Sequence, residues 1–200
     1  MRRLPQPGCE TGKNPGKNPR RGLNCPPETS ASGSAPASPA RRALAIVGFS
    51  NAGKTELICR LLAVLAARGL RVAVLKHSHH ADLDPDRGKD TWRYRQAGAR
   101  TVGLAAPGFL QVTRTFPGEP SLEQSLAALE ADADLILVEG YKSGPLPKIA
   151  VLTPEAGEIP DFPNLIALVT SKAVESPLPA FGPSQVEELG QWLYDYLIRD

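Results

Sequence analysis

The sequence has 200 residues, 42% of them hydrophobic, which is enough for one domain with a sizeable core. The net charge of +2 is unevenly distributed, because residues 1–43 carry eight basic and two acidic residues whereas residues 44–200 carry 15 basic and 19 acidic ones. The three cysteines have no C-x-x-C spacing, and no run of about 18 apolar residues occurs. A disulfide framework, a cysteine zinc site and a membrane-spanning helix are therefore not expected, and we predict a soluble, cytoplasmic protein.

Residues 1–43 are rich in Pro, Gly, Ser and Arg and contain no aromatic residue. Such a segment cannot bury enough apolar surface to offset its chain entropy. A basic tail can contact nucleic acid, but without interleaved aromatic residues that partner is not favoured here. The sequence predicts a disordered basic tail at 1–43 and a folded domain at 44–200.

The folded part opens with a strand followed by a helix. The apolar run ALAIVGF at 43–49 is typical of a strand buried on both faces of a parallel sheet. Residues 50–69 place apolar side chains at helical spacing. In this helix Glu56 precedes Arg60 by four residues, a spacing that favours an ion pair, and Cys59 is expected to be a small buried thiol.

The middle of the chain predicts a second strand, a loop, a short helix and a hairpin. RVAVLK at 71–76 is another apolar run and predicts a second buried strand. The polar, Asp-rich segment 77–88 follows it as a loop. KDTWRYRQAGA at 89–99 predicts a short helix. TVGLAAPGFLQVTRTF at 101–116 predicts two strands around a turn at Pro107-Gly108.

The rest of the chain continues the alternation of strands and helices. Ser121 with Gln124, and Ser184 with Glu187, match the capping-box pattern at helix starts. Three more apolar runs predict strands at 134–140, 148–153 and 165–171. The sequence therefore predicts an α/β fold, a three-layer sandwich with a mostly parallel sheet.

The segment between the first strand and the first helix predicts a phosphate site. Residues 48–55 read G-x-x-x-x-G-K-T in full, in the strand-loop-helix context that this pattern requires. Gly48 and Gly53 let the backbone wrap around phosphate, and the helix N-terminus adds positive partial charge. Lys54 can reach the β- and γ-phosphates, and Thr55 can offer its hydroxyl to Mg²⁺. Residues 48–55 are thus predicted to be a P-loop, and the three-layer sandwich is predicted to be that of a P-loop NTPase.

Such a loop also requires a carboxylate at the carboxyl end of a neighbouring parallel strand, to hold Mg²⁺. Glu139 ends the run at 134–140 and is the best candidate. Asp134 begins the same run, about 15 Å away by strand rise, and is interpreted as a solvated residue.

All three histidines lie in LKHSHH at 75–80, where the second strand ends. Ligands collect at the carboxyl ends of parallel strands, so Lys76, His77 and His80 are expected beside the P-loop. Three interpretations stand: zinc ligands assisted by the aspartates of 82–86, a solvated loop, or contact with phosphate or another anion. We favour the third.

Lys89, Arg93 and Arg95 form a basic cluster on the short helix that follows. They are either surface charges or, because the guanidinium fork suits phosphate, contacts to a second anionic group.

Further sequence motifs accompany the P-loop GFSNAGKT. They occur in far fewer protein families than the P-loop does. They are K-H-x-x-H at 76–80, G-K-D-T-x-R-x-R at 88–95, V-E-G-Y-K at 138–142 and P-K-I at 147–149. In this order they resemble the MobB family, adaptor proteins of molybdopterin-guanine dinucleotide biosynthesis. The resemblance runs from about Leu44 to near the C-terminus.

The resemblance implies a homodimeric GTP-binding protein that hydrolyses GTP slowly and uses Mg²⁺. It would assist a MobA-type guanylyltransferase, which joins GMP to molybdopterin. It implies that phosphates are held by Gly48, Asn51, Ala52, Gly53, Lys54 and Thr55, with Glu139 serving Mg²⁺. Nucleotide, molybdopterin or partner would contact the adjoining residues Lys76, His77, His80, Lys89, Asp90, Arg93 and Arg95.

Some residues depart from the family pattern. Ser171 and Lys172 stand where the family often has an acid, and no N-K-x-D guanine motif occurs, so a preference for GTP over ATP follows from the resemblance alone. A P-loop small-molecule kinase is the alternative function, with Arg93 and Arg95 as a phosphate-clamping lid. A third is a nucleotide-sensing or nucleic-acid module that uses the basic tail.

Overall fold

A computed structural model describes residues 43–78, 86–154 and 159–198, all of which belong to one compact unit. The predicted tail and His80 lie outside the described residues. The domain boundary predicted after residue 43 is not tested by them. Among the described residues, no helix is both long and apolar enough to cross a membrane.

The element order is the predicted alternation of strands and helices. The helices are α1 (Lys54–Ala67), α2 (Asp90–Gln96), α3 (Leu122–Ala127) and α4 (Val186–Ile198), with a 3₁₀ turn at Glu130–Asp132. The strands are β1 (Ala43–Gly48), β2 (Val72–Lys76), β3 (Thr101–Ala106), β4 (Phe109–Arg114), β5 (Leu135–Glu139), β6 (Lys148–Val151), β7 (Leu165–Val169) and β8 (Ala180–Phe181).

Six strands form one parallel sheet in the order β2-β5-β1-β6-β7-β8. The alternation of β1 builds a core on each face: Leu44 and Ile46 pack with α1 and α4, whereas Ala45 and Val47 pack with Leu126 of α3. The predicted three-layer α/β sandwich is confirmed. Since all neighbouring strands run parallel, the carboxyl ends of β1, β2, β5, β6 and β7 share one edge of the sheet.

The hairpin of β3 and β4 is a separate two-stranded antiparallel sheet, with Ala106 opposite Phe109 beside the predicted turn. The alternation of side chains places Leu104 and Phe109 on one face and Leu110 and Val112 on the other. All four are about half exposed or more, at 48% to 68%.

Strand β2 differs from its prediction, because it is the outer strand of the sheet and Val74 is 40% exposed. An apolar run does not distinguish an edge strand from a central one, since strand order depends on distant pairings. Asp134 lies at the start of β5, as predicted, but it accepts hydrogen bonds from Arg71 N at 2.9 Å and from Arg71 Nη2 at 2.8 Å. It anchors β5 to β2 and is more than a solvated residue.

Two expectations for α1 are wrong. Cys59 is exposed, because it lies one residue past buried Ile58 and points away from the core. Arg60 Nη1 donates to the carbonyl of Pro183 at 2.8 Å, and no ion pair with Glu56 is found among the described residues.

One of the two predicted capping boxes is present. Ser121 and Gln124 make both reciprocal hydrogen bonds at the start of α3. The helix α4 begins at Val186, so Ser184 does not directly precede it. Instead, Gln185 Oε1 accepts from Gly182 N at 2.7 Å, and this turn leads into the helix.

Candidate functional site

The P-loop connects the carboxyl end of β1 to the start of α1. Gly48 has φ 148°, and a Cβ at this position would lie 2.4 Å from the carbonyl oxygen of Val151, so only glycine fits beside β6. Asn51 (φ 60°) and Gly53 (φ 85°) adopt left-handed conformations. Left-handed residues of this kind let successive amides form an anion-binding concavity.

Lys54 opens α1, and its amino group lies over the P-loop, where Nζ donates to the carbonyl of Phe49 at 2.7 Å. Burial lowers the pKa of Lys54, whereas the carboxylate of Glu139 raises it. The charges of Lys142 and Lys76 lower this pKa further. A bound triphosphate would therefore bring negative charge to three mutually repelling lysines.

Glu139, at the end of β5, lies next to β1, β2 and the first turn of α1. The parallel register pairs it with Ile46 on one side and with Lys76 on the other. Thr55 Oγ1 donates to Glu139 Oε2 at 3.0 Å, and Lys76 Nζ lies 3.5 Å from Oε1. A hydroxyl and a carboxylate this close are the oxygen ligands that Mg²⁺ takes in P-loop proteins, so these side chains fit that ion.

A cavity of about 430 Å³, here called the phosphate cavity, lies against these groups. It is lined by Ser50, Asn51, Gly53, Lys54, Thr55, Glu56, Lys76 and Glu139. A second cavity of about 520 Å³, here called the strand-end cavity, reaches from the P-loop, including Ala52, to the ends of β6 and β7. Of the predicted phosphate and Mg²⁺ residues, Asn51, Gly53, Lys54, Thr55 and Glu139 thus line the phosphate cavity together with Lys76, whereas Ala52 lines only the strand-end cavity and Gly48 lines neither.

His77 lies near this site but does not line the phosphate cavity. Its Nε2 is 2.6 Å from Glu119 Oε1, and its ring is 4.2 Å from the ring of Tyr141. Its backbone N–H donates to the carbonyl of Glu139 at 2.9 Å. In the part of the chain that the structure describes, no group of three or more His, Cys, Asp or Glu is arranged to hold a metal ion.

The basic cluster of α2 is largely paired with acids. Arg95 makes an ion pair with Asp86, and both side chains are mostly buried. Arg93 Nη1 lies 3.7 Å from Asp90 Oδ1. Lys89 lines a separate cavity of about 180 Å³ beside the hairpin. Because none of these residues lines the phosphate cavity, their contact with a ligand stays a prediction.

Sequence reasoning missed the contacts made by the segment after β5. Tyr141 has φ 53°, and its ring contacts that of His77 at an interplanar angle of 33°. Lys142 Nζ lies 5.3 Å from the ring centroid of Phe49 in the P-loop. Lys148 is fully buried, and its Nζ donates to the carbonyls of Gly144, Leu146 and Pro163. The V-E-G-Y-K and P-K-I blocks contain these residues, but their local pattern does not indicate such distant partners.

The chain is similar to known proteins of one family. A family model described as "MobB: Molybdopterin guanine dinucleotide synthesis protein B" matches residues 43–171. The chain belongs to the MobB family. Its relatives include molybdopterin-guanine dinucleotide biosynthesis adapter proteins from Haemophilus influenzae (32% identical, covering 77% of this chain and 88% of the relative) and Escherichia coli (37% identical, covering 68% and 79%).

Solved structures of MobB proteins share the fold. A crystal structure of molybdopterin-guanine biosynthesis protein B is 31% identical, covers 79% of this chain and 99% of the other, and has a TM-score of 0.66. The crystal structure of Bacillus subtilis MobB is 27% identical, covers 74% and 95%, and has a TM-score of 0.59. The predicted membership of the MobB family is confirmed, and it places the chain among the proteins of molybdopterin-guanine dinucleotide biosynthesis.

Proposed function

We propose that this protein is a GTP-binding adaptor with weak GTPase activity, which assists a MobA-type guanylyltransferase in transferring GMP to molybdopterin. The meeting of Lys54, Thr55 and Glu139 at one cavity, in a chain of the MobB family, supports this most directly. On this proposal the protein works in the cytoplasm, where nucleotide and transferase meet.

The phosphate cavity has the groups that Mg²⁺-GTP requires. The P-loop backbone and Lys54 would hold the β- and γ-phosphates, and Thr55 and Glu139 would hold the ion. Lys76 would add positive charge from the end of β2. The bound nucleotide would supply a triphosphate that can lose its γ-phosphate to water.

Hydrolysis should be slow on the same grounds. Among the described residues that line the phosphate cavity there is neither a glutamine to position water nor an arginine to stabilise the developing charge. Groups of that kind account for several orders of magnitude in rate. We expect turnover far below the typical enzyme value of about 10 per second, and GTP hydrolysis at that rate by the isolated protein would contradict the proposal.

A homodimer is part of the proposal, and the hairpin of β3 and β4 is the surface that supports it. A two-stranded hairpin alone is marginally stable, and its two edges remain able to pair with another strand. Exposed apolar side chains lie on both of its faces, among them Leu104, Phe109 and Leu110. A second copy of the chain packed against the hairpin would bury them.

The central experiment is a reconstitution with and without this protein. A mixture of guanylyltransferase, molybdopterin, molybdate and Mg²⁺-GTP should yield more guanylated cofactor when the wild-type protein is added. Lys54→Ala should bind no GTP by calorimetry and give no increase, while circular dichroism shows an unchanged fold.

The control for this experiment is Arg100→Ala, which removes an exposed cation that does not line the phosphate cavity. This variant should behave as wild type. An absence of stimulation by the wild-type protein, or equal stimulation by Lys54→Ala, would argue against the proposed function.

A further inference from the structure

The phosphate cavity and the strand-end cavity meet at three residues. Asn51, Gly53 and Glu56 line both of them. The phosphate cavity holds the charged groups Lys54 and Glu139, whereas the strand-end cavity is lined in large part by apolar side chains from the ends of β6 and β7 and by α1. One elongated ligand can therefore occupy both cavities and pass Glu56 on the way.

A nucleoside triphosphate likewise has a charged end and a largely apolar end. Its phosphates are charged, its base is flat and largely apolar on its faces, and the ribose joins them. With the β- and γ-phosphates at Lys54, the base extends into the strand-end cavity, whose volume of about 520 Å³ is typical of ligand sites. Val151, Leu152 and Val169 line that cavity and would contact the base. The ribose then lies at the junction, beside Glu56.

Glu56 is available to bind there. Its side chain is exposed, and it makes no hydrogen bond or ion pair in the described part of the chain. The arginine one helical turn later, Arg60, donates instead to the carbonyl of Pro183 at 2.8 Å. The first-turn carboxylate of α1 that lines both cavities thus has no partner for its acceptor atoms among the described residues.

The chemistry of a carboxylate decides which part of the nucleotide it can contact. An ionised carboxylate only accepts hydrogen bonds, so phosphate oxygens repel it. The 2′- and 3′-hydroxyls of ribose are two neighbouring donors, and acidic side chains bind them in other nucleotide sites. The edge of guanine also carries donors, but with the phosphates at Lys54 the base would lie in the strand-end cavity, so the ribose hydroxyls are the donors that Glu56 would meet at the junction.

We propose that Glu56 is a specificity-determining residue whose carboxylate accepts hydrogen bonds from the ribose hydroxyls, so that the protein selects ribonucleotides over 2′-deoxyribonucleotides. This inference rests on the proposed nucleotide function. It adds that the ribose of the nucleotide is recognised at the junction of the two cavities.

The test is a comparison of Mg²⁺-GTP and Mg²⁺-2′-deoxyGTP by calorimetry. Wild-type protein should bind GTP more tightly by a factor on the order of ten, the usual effect of one hydrogen bond to a charged acceptor. In Glu56→Ala the ratio of the two affinities should fall close to one. Glu56→Gln keeps the shape and one acceptor oxygen, so an intermediate ratio is expected.

The controls separate this inference from other roles of the residue. Glu123→Gln, a change at the first-turn acid of α3, should leave the ratio unchanged. If Glu56→Ala changes both affinities by one factor and keeps their ratio, Glu56 acts only through the charge at the helix start and the inference is wrong. Tight GTP binding with no preference in the wild type would also overturn it. Binding of neither nucleotide would overturn the proposed function itself.

Discussion

At the scale of single residues, the proton on Lys54 should be linked to nucleotide binding. Burial is the largest influence on its pKa and lowers it from the ordinary 10.5. Bound phosphates favour the charged ammonium and raise the pKa again. Between these two pKa values binding takes up a proton, so GTP affinity should fall as the pH rises through the lowered pKa of the free protein.

Calorimetry in two buffers of different ionisation enthalpy measures this proton directly. On the alkaline side of neutrality, the heat of GTP binding to the wild-type protein should depend on the ionisation enthalpy of the buffer. The sign of this dependence should be the one expected when the complex takes a proton from the buffer. Lys54→Arg keeps its charge at all these pH values and is the matched variant: any GTP binding that it retains should show less uptake. Equal uptake by both proteins would assign the proton to another group.

Lys148 is a second residue whose role can be tested, in this case by stability. Its buried ammonium donates to three backbone carbonyls, two of them at 2.8 and 2.9 Å. Lys148→Met keeps an unbranched apolar side chain as far as Cε but removes the ammonium, which leaves these buried acceptors without their donor. We expect the free energy of unfolding to fall by about 2–4 kcal/mol in urea titrations. Lys172→Met, at an exposed lysine, should change it little; a similar loss in both would contradict the interpretation.

At the scale of elements, the hairpin of β3 and β4 should control self-association. Leu110 is 68% exposed and shares its face with Val112. Leu110→Lys would place a charge in the interface, so the dissociation constant of the proposed dimer should rise about tenfold or more in analytical ultracentrifugation. Ala66→Lys adds the same charge on the exposed side of α1 and should leave the dissociation constant of the dimer unchanged. A monomeric wild-type protein would exclude the homodimer.

The sequence predicted the elements best where local pattern and local energetics agree. The apolar runs of β1, β5 and β6, the Ser121 capping box and the P-loop each need only a few consecutive residues to be recognised. The edge position of β2 could not be predicted in this way, because it depends on β5 pairing with both β1 and β2.

The same distinction applies to the site. Thr55 and Glu139 could be predicted as neighbours because both end up at the carboxyl edge of the sheet, and the structure places them 3.0 Å apart. Arg95 was predicted to face a ligand, yet it is paired with Asp86, whose position is set by the fold of the loop. The contact of His77 with Glu119 likewise joins segments whose distance no local pattern indicates.

At the scale of the whole molecule, nucleotide binding should not require the N-terminal tail. The family match begins at residue 43, where β1 also begins, and every described residue of the two cavities lies beyond it. Deletion of residues 1–42 should leave GTP affinity by calorimetry and the thermal midpoint of the domain unchanged. Loss of GTP binding in a deletion variant that still folds would show that the tail contributes to the nucleotide site.

The position of β5 has a consequence for the order in which the molecule can be made. This strand lies between β1 and β2, although both precede it by many residues, and the contact between Thr55 and Glu139 spans 84 positions. A chain emerging from the ribosome therefore completes its P-loop sequence long before the carboxylate that faces it has been synthesised. Contacts of such long range form late and slow folding. On the proposed function, nucleotide would bind with its metal ion only after β5 has inserted between β1 and β2, so occupancy of the site would report that residue 139 has been synthesised and that β5 is in place.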